Sequence, residues 1–391
     1  MVFEQADVVI IRFGEISLKS NKVRNRMINR LSKNINAALK NIGVECTVYN
    51  KWSRIIIEEF EETKNIVDAV SILPGVVSLS PCKVVEPKIE TISRGLVEIG
   101  LENFEGNTFG VDARRVGEKD THNFSSRDIC EEAGSVLLDN LGENVEVDLN
   151  HPDQWFYVEC RKEKAFLYLK KYPGPGGLPV GAEGKILALI SGGHDSPVAA
   201  YKMMCRGCEV VPLYFSMGDY SGIDLDIRAF KTIQKLKKFA PNFDWDVRVA
   251  EIGETVEKLM EDLNNTRMVV LRRFMFKIAE KLAEKEGARG IVTGESLGQK
   301  SSQTLGNLDV VSRATKIPVH RPLLSFDKPD IIEIARGIGT FSGSKIEAGC
   351  TEIAPNRPEV YGDLEKIKDV EPDYIDGEVE KTVDKIYRKE L

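Results

Sequence analysis

The 391 residues contain no run of eighteen consecutive apolar residues, so no segment is a candidate membrane-spanning helix. Nor does the chain open on a basic segment, an apolar stretch and a small-residue cleavage site; MVFEQADVVIIRFGE reads as the approach to a first strand. Both absences set the expectation of a cytoplasmic protein with no membrane partner. Basic residues are not in excess: 54 Lys and Arg face 61 Asp and Glu, for a net charge of −7. That excludes a chain coated in cations but leaves room for a local basic patch on a nucleic acid. Cysteine is sparse and odd in number, with Cys46, Cys82, Cys130, Cys160, Cys205, Cys208 and Cys350 scattered along the chain. This is no disulfide scaffold, and reduced thiols are the natural reading. Internal repeats and low-complexity tracts are also lacking.

What is present divides into two α+β patterns and one α/β pattern. Residues 7–13, DVVIIRF, predict a strand. The segment from residue 14 to 43 places Met27, Ile28, Leu31, Ile35 and Leu39 at helical spacing before a glycine stop. Its opposite face carries Lys19, Lys22, Arg24, Arg26 and Arg30. ECTVYNKWSRIIIEEF then reads as two strands, closing a small unit over residues 1–60. Residues 61–171 form a second unit. It has a helix, a Pro-Gly turn and a strand in TKNIVDAVSILPGVVSLSPCKVVE, then a strand in NTFGVDARRV and a Ser-capped helix in SSRDICEEAGSVLLDNLG. A strand in VEVDLN and a hairpin in WFYVECRKEKAFLYLKKY complete it. Residues 172–184 are rich in Gly and Pro and mark a linker. Over residues 185–391 the short apolar runs ILALI, EVVPLYF, DVRVAEI and GIVTGE alternate with helical stretches such as VVLRRFMFKIAEKLAEKEG. That alternation predicts a parallel sheet with helices on both faces.

The chemistry concentrates where the first of these runs ends, in KILALISGGHDSPVAAY. A strand passes through Ser191, Gly192, Gly193, His194, Asp195 and Ser196 into a helix. Glycines let main-chain N–H groups curl around an anion, and the helix N-terminus adds positive partial charge. The loop is neither a Walker A sequence nor a dinucleotide GxGxxG. Taken alone, it also fits a tight glycine turn with Asp195 as helix cap.

SGGxDS resembles the pyrophosphate (PP) loop of the ATP-pyrophosphatases, whose members adenylate a carbonyl oxygen and release pyrophosphate. Five further stretches narrow this: RFGEISLKSNKVRNR, FGVDARRVGEKDTHNFSS, GGLPVGAEGKILAL, TGESLGQKSSQTLGNL and RPLLSFDKPDIIEIARGIGT. In this order they resemble the tRNA 4-thiouridine synthetase (ThiI) family over essentially the whole chain. The resemblance implies a ferredoxin-like domain, a THUMP RNA-binding domain and an ATP-pyrophosphatase domain of the adenine nucleotide alpha hydrolase-like α/β class. It implies ATP and Mg²⁺ as cofactors, the metal on the phosphates near Asp195. For the nucleotide it implies Leu189 and Ile190 at the end of the first strand and residues 191–196 around the phosphates. Tyr214 and Phe215 would lie beside the adenosine, with Arg272, Gly294 and Gln303 completing the site. Core packing accounts for Tyr214 and Phe215 equally well, a solvated helix face for Arg272, and Arg273 is the alternative register. His194 reads as a spacer.

RNA contact is expected from Lys19, Lys22, Arg24 and Arg26 on the first helix and from Arg114, Arg115, Lys119 and His122, with Thr121 and Ser125 nearby. Such groups position an RNA through phosphates and ribose hydroxyls. Cys350, in SKIEAGCTEIAPNRP, matches the family's sulfur-handling cysteine, which carries or helps release a persulfide; the plain alternative is a small buried hydrophobe. Asp195 and Cys350 are thus the two catalytic candidates. The resemblance implies 4-thiouridine at tRNA position 8, a sulfur donor that is a cysteine desulfurase persulfide or inorganic sulfide, a homodimer, and a weaker link to thiamine thiazole synthesis. The chain resembles the form without a C-terminal rhodanese domain. It departs from cluster-bearing relatives, because RMVVLRRF has no cysteine and Cys205 and Cys208 belong at the far end of their helix, so no metal cluster is expected. Two other functions remain open at this point: an ATP-gated tRNA-binding module, and a different adenylating ligase.

Overall fold

Two units, Met1–Gly177 and Leu178–Leu391, make up the chain, and the computed structural model describes residues 6–51, 53–118, 121–220, 223–341 and 353–391. No helix among the described residues is long and apolar enough to cross a membrane.

In the first unit the strands are β1 (Val8–Arg12), β2 (Thr47–Lys51), β3 (Arg54–Glu58), β4 (Ser78–Val85), β5 (Thr108–Arg115), β6 (Glu146–Val147), β7 (Gln154–Cys160), β8 (Ala165–Tyr168) and β9 (Tyr172–Pro173). The helices are α1 (Asn21–Asn41), α2 (Thr63–Val70), α3 (Ile89–Asn103) and α4 (Ser126–Leu141). One sheet runs in the order β2-β3-β1-β4-β8-β7-β5-β6, with β9 added to β4. Strand β4 joins its halves: Ser78 to Cys82 pair with β1, and Lys83 to Val85 with β8. Helix α1 buries Met27, Ile28, Leu31, Ile35 and Leu39, the spacing read from the sequence. It begins only at Asn21, because Glu15–Leu18 wind as a 3-10 turn in which the Ser17 hydroxyl donates to the Gly14 carbonyl. Helix α4 opens on Ser125, whose side chain accepts from Asp128 N while the Asp128 carboxylate accepts from Ser125 N, a reciprocal cap. The strand expected in VEVDLN is cut to two residues, since the Asp148 carboxylate accepts from the N–H groups of Asn150 and His151 and turns the chain.

The second unit is doubly wound. Its elements are β10 (Lys185–Leu189), α5 (Asp195–Cys205), β11 (Glu209–Ser216), α6 (Ile223–Lys237), β12 (Val247–Glu251), α7 (Gly253–Asp262), α8 (Arg267–Glu286), β13 (Ile291–Val292), α9 (Leu305–Ser312), β14 (Val319–His320), α10 (Lys328–Gly337), α11 (Leu364–Val370), α12 (Ile375–Lys385) and β15 (Tyr387–Lys389). The sheet order is β14-β13-β10-β11-β12-β15. All neighbours are parallel except β15, an antiparallel edge strand that the sequence did not suggest. The chain moves outward from β10 to β12 and then returns to β13 on β10's other side. Right-handed crossovers therefore put the helices of the two passages on opposite faces. On one face Val269, Val270, Phe274, Ile278 and Leu282 of α8 pack with Leu187, Val211, Leu213 and Phe215 of the strands and with Val379 and Val383 of α12.

Strand β15 is held by charge. Arg248 of β12 is 2% exposed. Its Nε and Nη2 donate to Glu286 at 2.8 and 2.9 Å, and Nη2 also meets Asp244 at 2.9 Å. Arg388 of β15 reaches the same two carboxylates. Replacing Arg248 by Met leaves those acids without their buried partner, and the expected loss is about 3 kcal/mol in a urea unfolding titration.

Candidate nucleotide-binding site

Strand order decides where a ligand can enter. The reversal of winding at β10 makes the loops leaving the carboxyl ends of β10, β11 and β13 diverge, and a crevice opens between them. A cavity of about 220 Å³ lies there. Every nucleotide-site position expected from the sequence lines it: Leu189 and Ile190 from the end of β10, Ser191, Gly192 and Gly193 from the loop, Asp195 and Ser196 from the first turn of α5, Tyr214 and Phe215 from β11, Arg272 from α8, Gly294 after β13, and Gln303.

The loop is braced by its own serines. Ser191 N donates to Ser196 Oγ at 2.9 Å, and Gly193 N to Ser191 Oγ at 3.3 Å. His194, not Asp195, is the cap residue of α5, and its side chain makes no cap bond. The imidazole stacks edge-on against Phe341. Burial, and then Lys328, Arg228 and Lys300, lower its pKa against the opposing pull of Asp195. Asp195 itself accepts from Lys328 Nζ at 2.7 and 3.0 Å. Glycine is required at Gly294, where a Cβ would lie only 2.4 Å from Ser196 N; at Gly192 it would lie 2.8 Å from Leu225 Cδ2, the end of a side chain that can shift.

At β11 the site is formed by main chain. The Tyr214 hydroxyl donates to Asp226 and its ring packs on Phe230, while the Phe215 ring joins the core under α8. Pairing between β10 and β11 ends at Leu189 with Leu213, whereas β11 continues beside β12 to Ser216. In a parallel sheet successive residues turn their N–H and C=O to alternate neighbours. Leu213 O accepts from Ile190 N and Ser216 O from Ile252 N, so Phe215 turns its main-chain groups toward the side where β10 has already ended. That edge suits a planar heterocycle with one donor and one acceptor.

The remaining wall is electrostatic. Glu295 is 3% exposed at its side chain and accepts from Arg272, from Arg321 Nε at 2.5 Å and from Thr293 Oγ1 at 2.9 Å. Burial pushes its carboxyl up, but the two guanidinium charges outweigh this and hold it below the usual carboxylate range. Arg273 is turned away: it is buried, with Nε on Glu371 at 2.6 Å and Nη1 on the Val310 carbonyl at 2.8 Å. Gln303 accepts from Ser296 N at 3.3 Å, which leaves its amide N–H₂ for the crevice. Glu295, Thr293 and Lys300 were not anticipated, although TGES sets Glu295 beside the expected Gly294.

Outside the crevice the picture is divided. Lys22 and Arg26 lie one turn apart on α1 and are exposed, as is Arg114, while Lys19 and Arg24 are half-buried with Arg24 donating to the Lys19 carbonyl at 3.1 Å. Arg115 donates to the Phe124 carbonyl, and His122 stacks on Phe124 and bonds the Arg161 carbonyl at 3.1 Å, so both brace the loop before α4. Lys119 and Cys350 lie outside the described residues. Burial raises the pKa of Cys205 and of Cys208, which keeps both thiols protonated, and α5 carries Cys205 to the end remote from the crevice. Among the described residues no three His, Cys, Asp or Glu side chains converge as metal ligands. A larger cavity of about 430 Å³ in the first unit is lined by Glu105, Asp153, Lys170 and Lys171 and by the rings of Trp155 and Tyr157.

Gly294→Ala should destabilise the protein by about 1–3 kcal/mol in denaturant titration and remove nucleotide binding by calorimetry, since the added carbon meets main chain and not a flexible side chain. Because the folded pKa of Glu295 is depressed, its contribution is present above its unfolded value of about 4.3 and is lost as pH falls through the lower folded value. Thermal melts should therefore lose stability below about pH 4, and Glu295→Gln should flatten that slope.

Residues 181–374 match the family described as thiamine biosynthesis protein (ThiI), residues 8–80 the ThiI ferredoxin-like domain and residues 86–170 the THUMP domain. A probable tRNA sulfurtransferase of Halobacterium salinarum is 42% identical over 370 residues, 94% of this chain and 93% of that one. One from Methanobrevibacter smithii is 37% identical over 370 residues, 93% of this chain and 94% of that one. A crystal structure of a 4-thiouridine synthetase–RNA complex with bound ATP aligns at a TM-score of 0.86 and 28% identity, covering 98% of this chain and 99% of that one.

Proposed function

The chain belongs to the ThiI family, and from that membership and the crevice at the ends of β10, β11 and β13 we infer an ATP-dependent tRNA sulfurtransferase that makes 4-thiouridine. One observation carries the reading. A serine-braced glycine loop feeds the N-terminus of α5 at the switch point of the sheet, with an unpaired strand edge on one side and Arg272 on the other.

Each feature answers a need of the reaction. Uridine C4 carries a carbonyl oxygen that does not leave as oxide. Attack of that oxygen on the α-phosphorus of ATP forms a new P–O bond as the bond to pyrophosphate breaks, and the oxygen departs later within AMP. The loop N–H groups and the start of α5 would hold the pyrophosphate as its charge develops. The main chain of Phe215 would address the adenine, and Arg272 would oppose the phosphate charge. Mg²⁺, when bound with ATP, would supply further charge neutralisation, and Asp195, paired with Lys328 at 2.7 and 3.0 Å, is the loop carboxylate that would hold it. A hydrosulfide or persulfide sulfur then bonds to C4 while the C4–O bond breaks and AMP leaves. The persulfide route also needs a thiol reductant to cleave its S–S bond.

Cys350 is proposed as the residue that handles this sulfur. In support, Ile353, three residues further along the sequence, is buried against α8, and its carbonyl accepts from Arg267 Nε at 2.6 Å. It packs there beside Met268 and Leu271, which also line the crevice. Lys22, Arg26 and Arg114 are proposed as the tRNA-facing cations, and uridine 8 as the target. A cytoplasmic homodimer supplied by a desulfurase persulfide or by sulfide fits the same reading, with thiazole sulfur supply a secondary role. Cys350→Ala should retain ATP and tRNA binding by calorimetry and filter binding while losing 4-thiouridine formation. A variant that still thiolates tRNA at the parent rate would remove Cys350 from the mechanism.

A further inference from the structure

Glu295 lies in the wall of the crevice, yet the reaction gives it no proton to move and no phosphate to touch. Its carboxylate is among the most buried charged groups of the second unit and is fully partnered. Oε1 accepts from Arg272 Nη1, and Oε2 accepts from Arg321 Nε at 2.5 Å and from Thr293 Oγ1 at 2.9 Å. The two arginines differ in setting. Arg321 does not line the crevice; its Nη2 donates to Ser312 Oγ at 2.9 Å, and its guanidinium lies 6.0 Å over the Phe276 ring. Arg272 faces the crevice, with 26% of its side chain exposed.

We propose that Glu295 is a positioning residue for the nucleotide reaction, a bridge that anchors on Arg321 behind the wall and holds the Arg272 guanidinium at the phosphate end of the crevice. The inference rests on the sulfurtransferase reading above. An arginine side chain has several rotatable bonds, and without a fixed acceptor it samples rotamers that do not face a ligand. A carboxylate with two oxygens on two different helix–strand elements removes that freedom before ATP arrives. The charges fit as well. One carboxylate between two guanidiniums leaves a net positive charge on this wall, so the bridge aims Arg272 without neutralising it.

Thr293 and Gly294 explain why the bridge starts here. Gly294 lets the chain pass against the Ser196 N–H of α5. The next residue therefore projects from directly beneath the phosphate loop, and Thr293 supports its outer oxygen. Glutamine in place of Glu295 offers one acceptor oxygen and turns an N–H₂ donor on the other arginine. It can hold Arg272 or Arg321, not both, and the two like charges then repel.

The test is steady-state AMP release with unmodified tRNA, Mg²⁺ and inorganic sulfide, with ATP and tRNA varied in turn. Glu295→Gln should raise the KM for ATP by about ten- to a hundredfold and leave the KM for tRNA within about twofold. In an Arg272→Ala background the same substitution should add less than about twofold, because the glutamate acts through that arginine. Glu295→Asp, which keeps the charge but shortens the reach, should show the same pattern more weakly, and it carries the test if the glutamine variant does not fold. A wild-type protein that releases no AMP contradicts the functional reading and this inference with it. An active wild type overturns the inference alone if Glu295→Gln keeps its KM for ATP, raises the KM for tRNA equally, or multiplies the loss caused by Arg272→Ala.

Discussion

Where the chain leaves β13 it passes so close to the first turn of α5 that no side-chain atom fits between them, and the nucleotide crevice takes its shape from that passage. The contact at Gly294 sets the distance between the phosphate loop and the opposite wall. The next residues are fixed with it: Glu295 accepts from Thr293 Oγ1, and Ser296 N donates to the Gln303 side-chain oxygen. Close packing of this kind transmits small displacements instead of absorbing them.

The charges around the crevice are held by one another. Asp195 is matched by Lys328, and Glu295 by Arg272 and Arg321. Preorganised charges of this sort favour a reaction in which negative charge moves from one phosphate to a departing pyrophosphate, because little has to reorient as it develops. The other end of the crevice has the opposite character. There the strand β11 simply outlasts its neighbour β10, and what faces the crevice is the main chain of Phe215. One sheet thus provides a hard electrostatic end and a tolerant main-chain end.

Much of this was legible in the sequence because it depends on local pattern. The apolar run into Ser-Gly-Gly announced strand, loop and helix, and the Ser125 cap and the buried stripe of α1 followed from spacing alone. What was missed depends on tertiary partners. Strand β14 is two residues long, and β15 is a polar segment whose place comes from Arg388 meeting Glu286 and Asp244. No periodicity reveals such elements. Tyr214 and Phe215 were expected beside the adenosine, but both rings pack elsewhere and it is strand register that turns the Phe215 main chain to the crevice. Likewise Arg115 and His122 have the chemistry of RNA contacts, yet both are engaged in holding a loop, which only the fold discloses. Arg272 and Arg273 are adjacent in sequence. Helical rotation sends one to the crevice and the other to Glu371.

The central claim is that one crevice activates uridine with ATP so that sulfur can replace oxygen. The most direct measurement is a single turnover of the whole chain with ATP, Mg²⁺, unmodified tRNA and inorganic sulfide, following 4-thiouridine by its near-ultraviolet absorbance and AMP by chromatography. The account predicts both products in equal amounts, and neither when ATP is omitted. Protein that binds ATP and tRNA yet yields no AMP and no 4-thiouridine would contradict it.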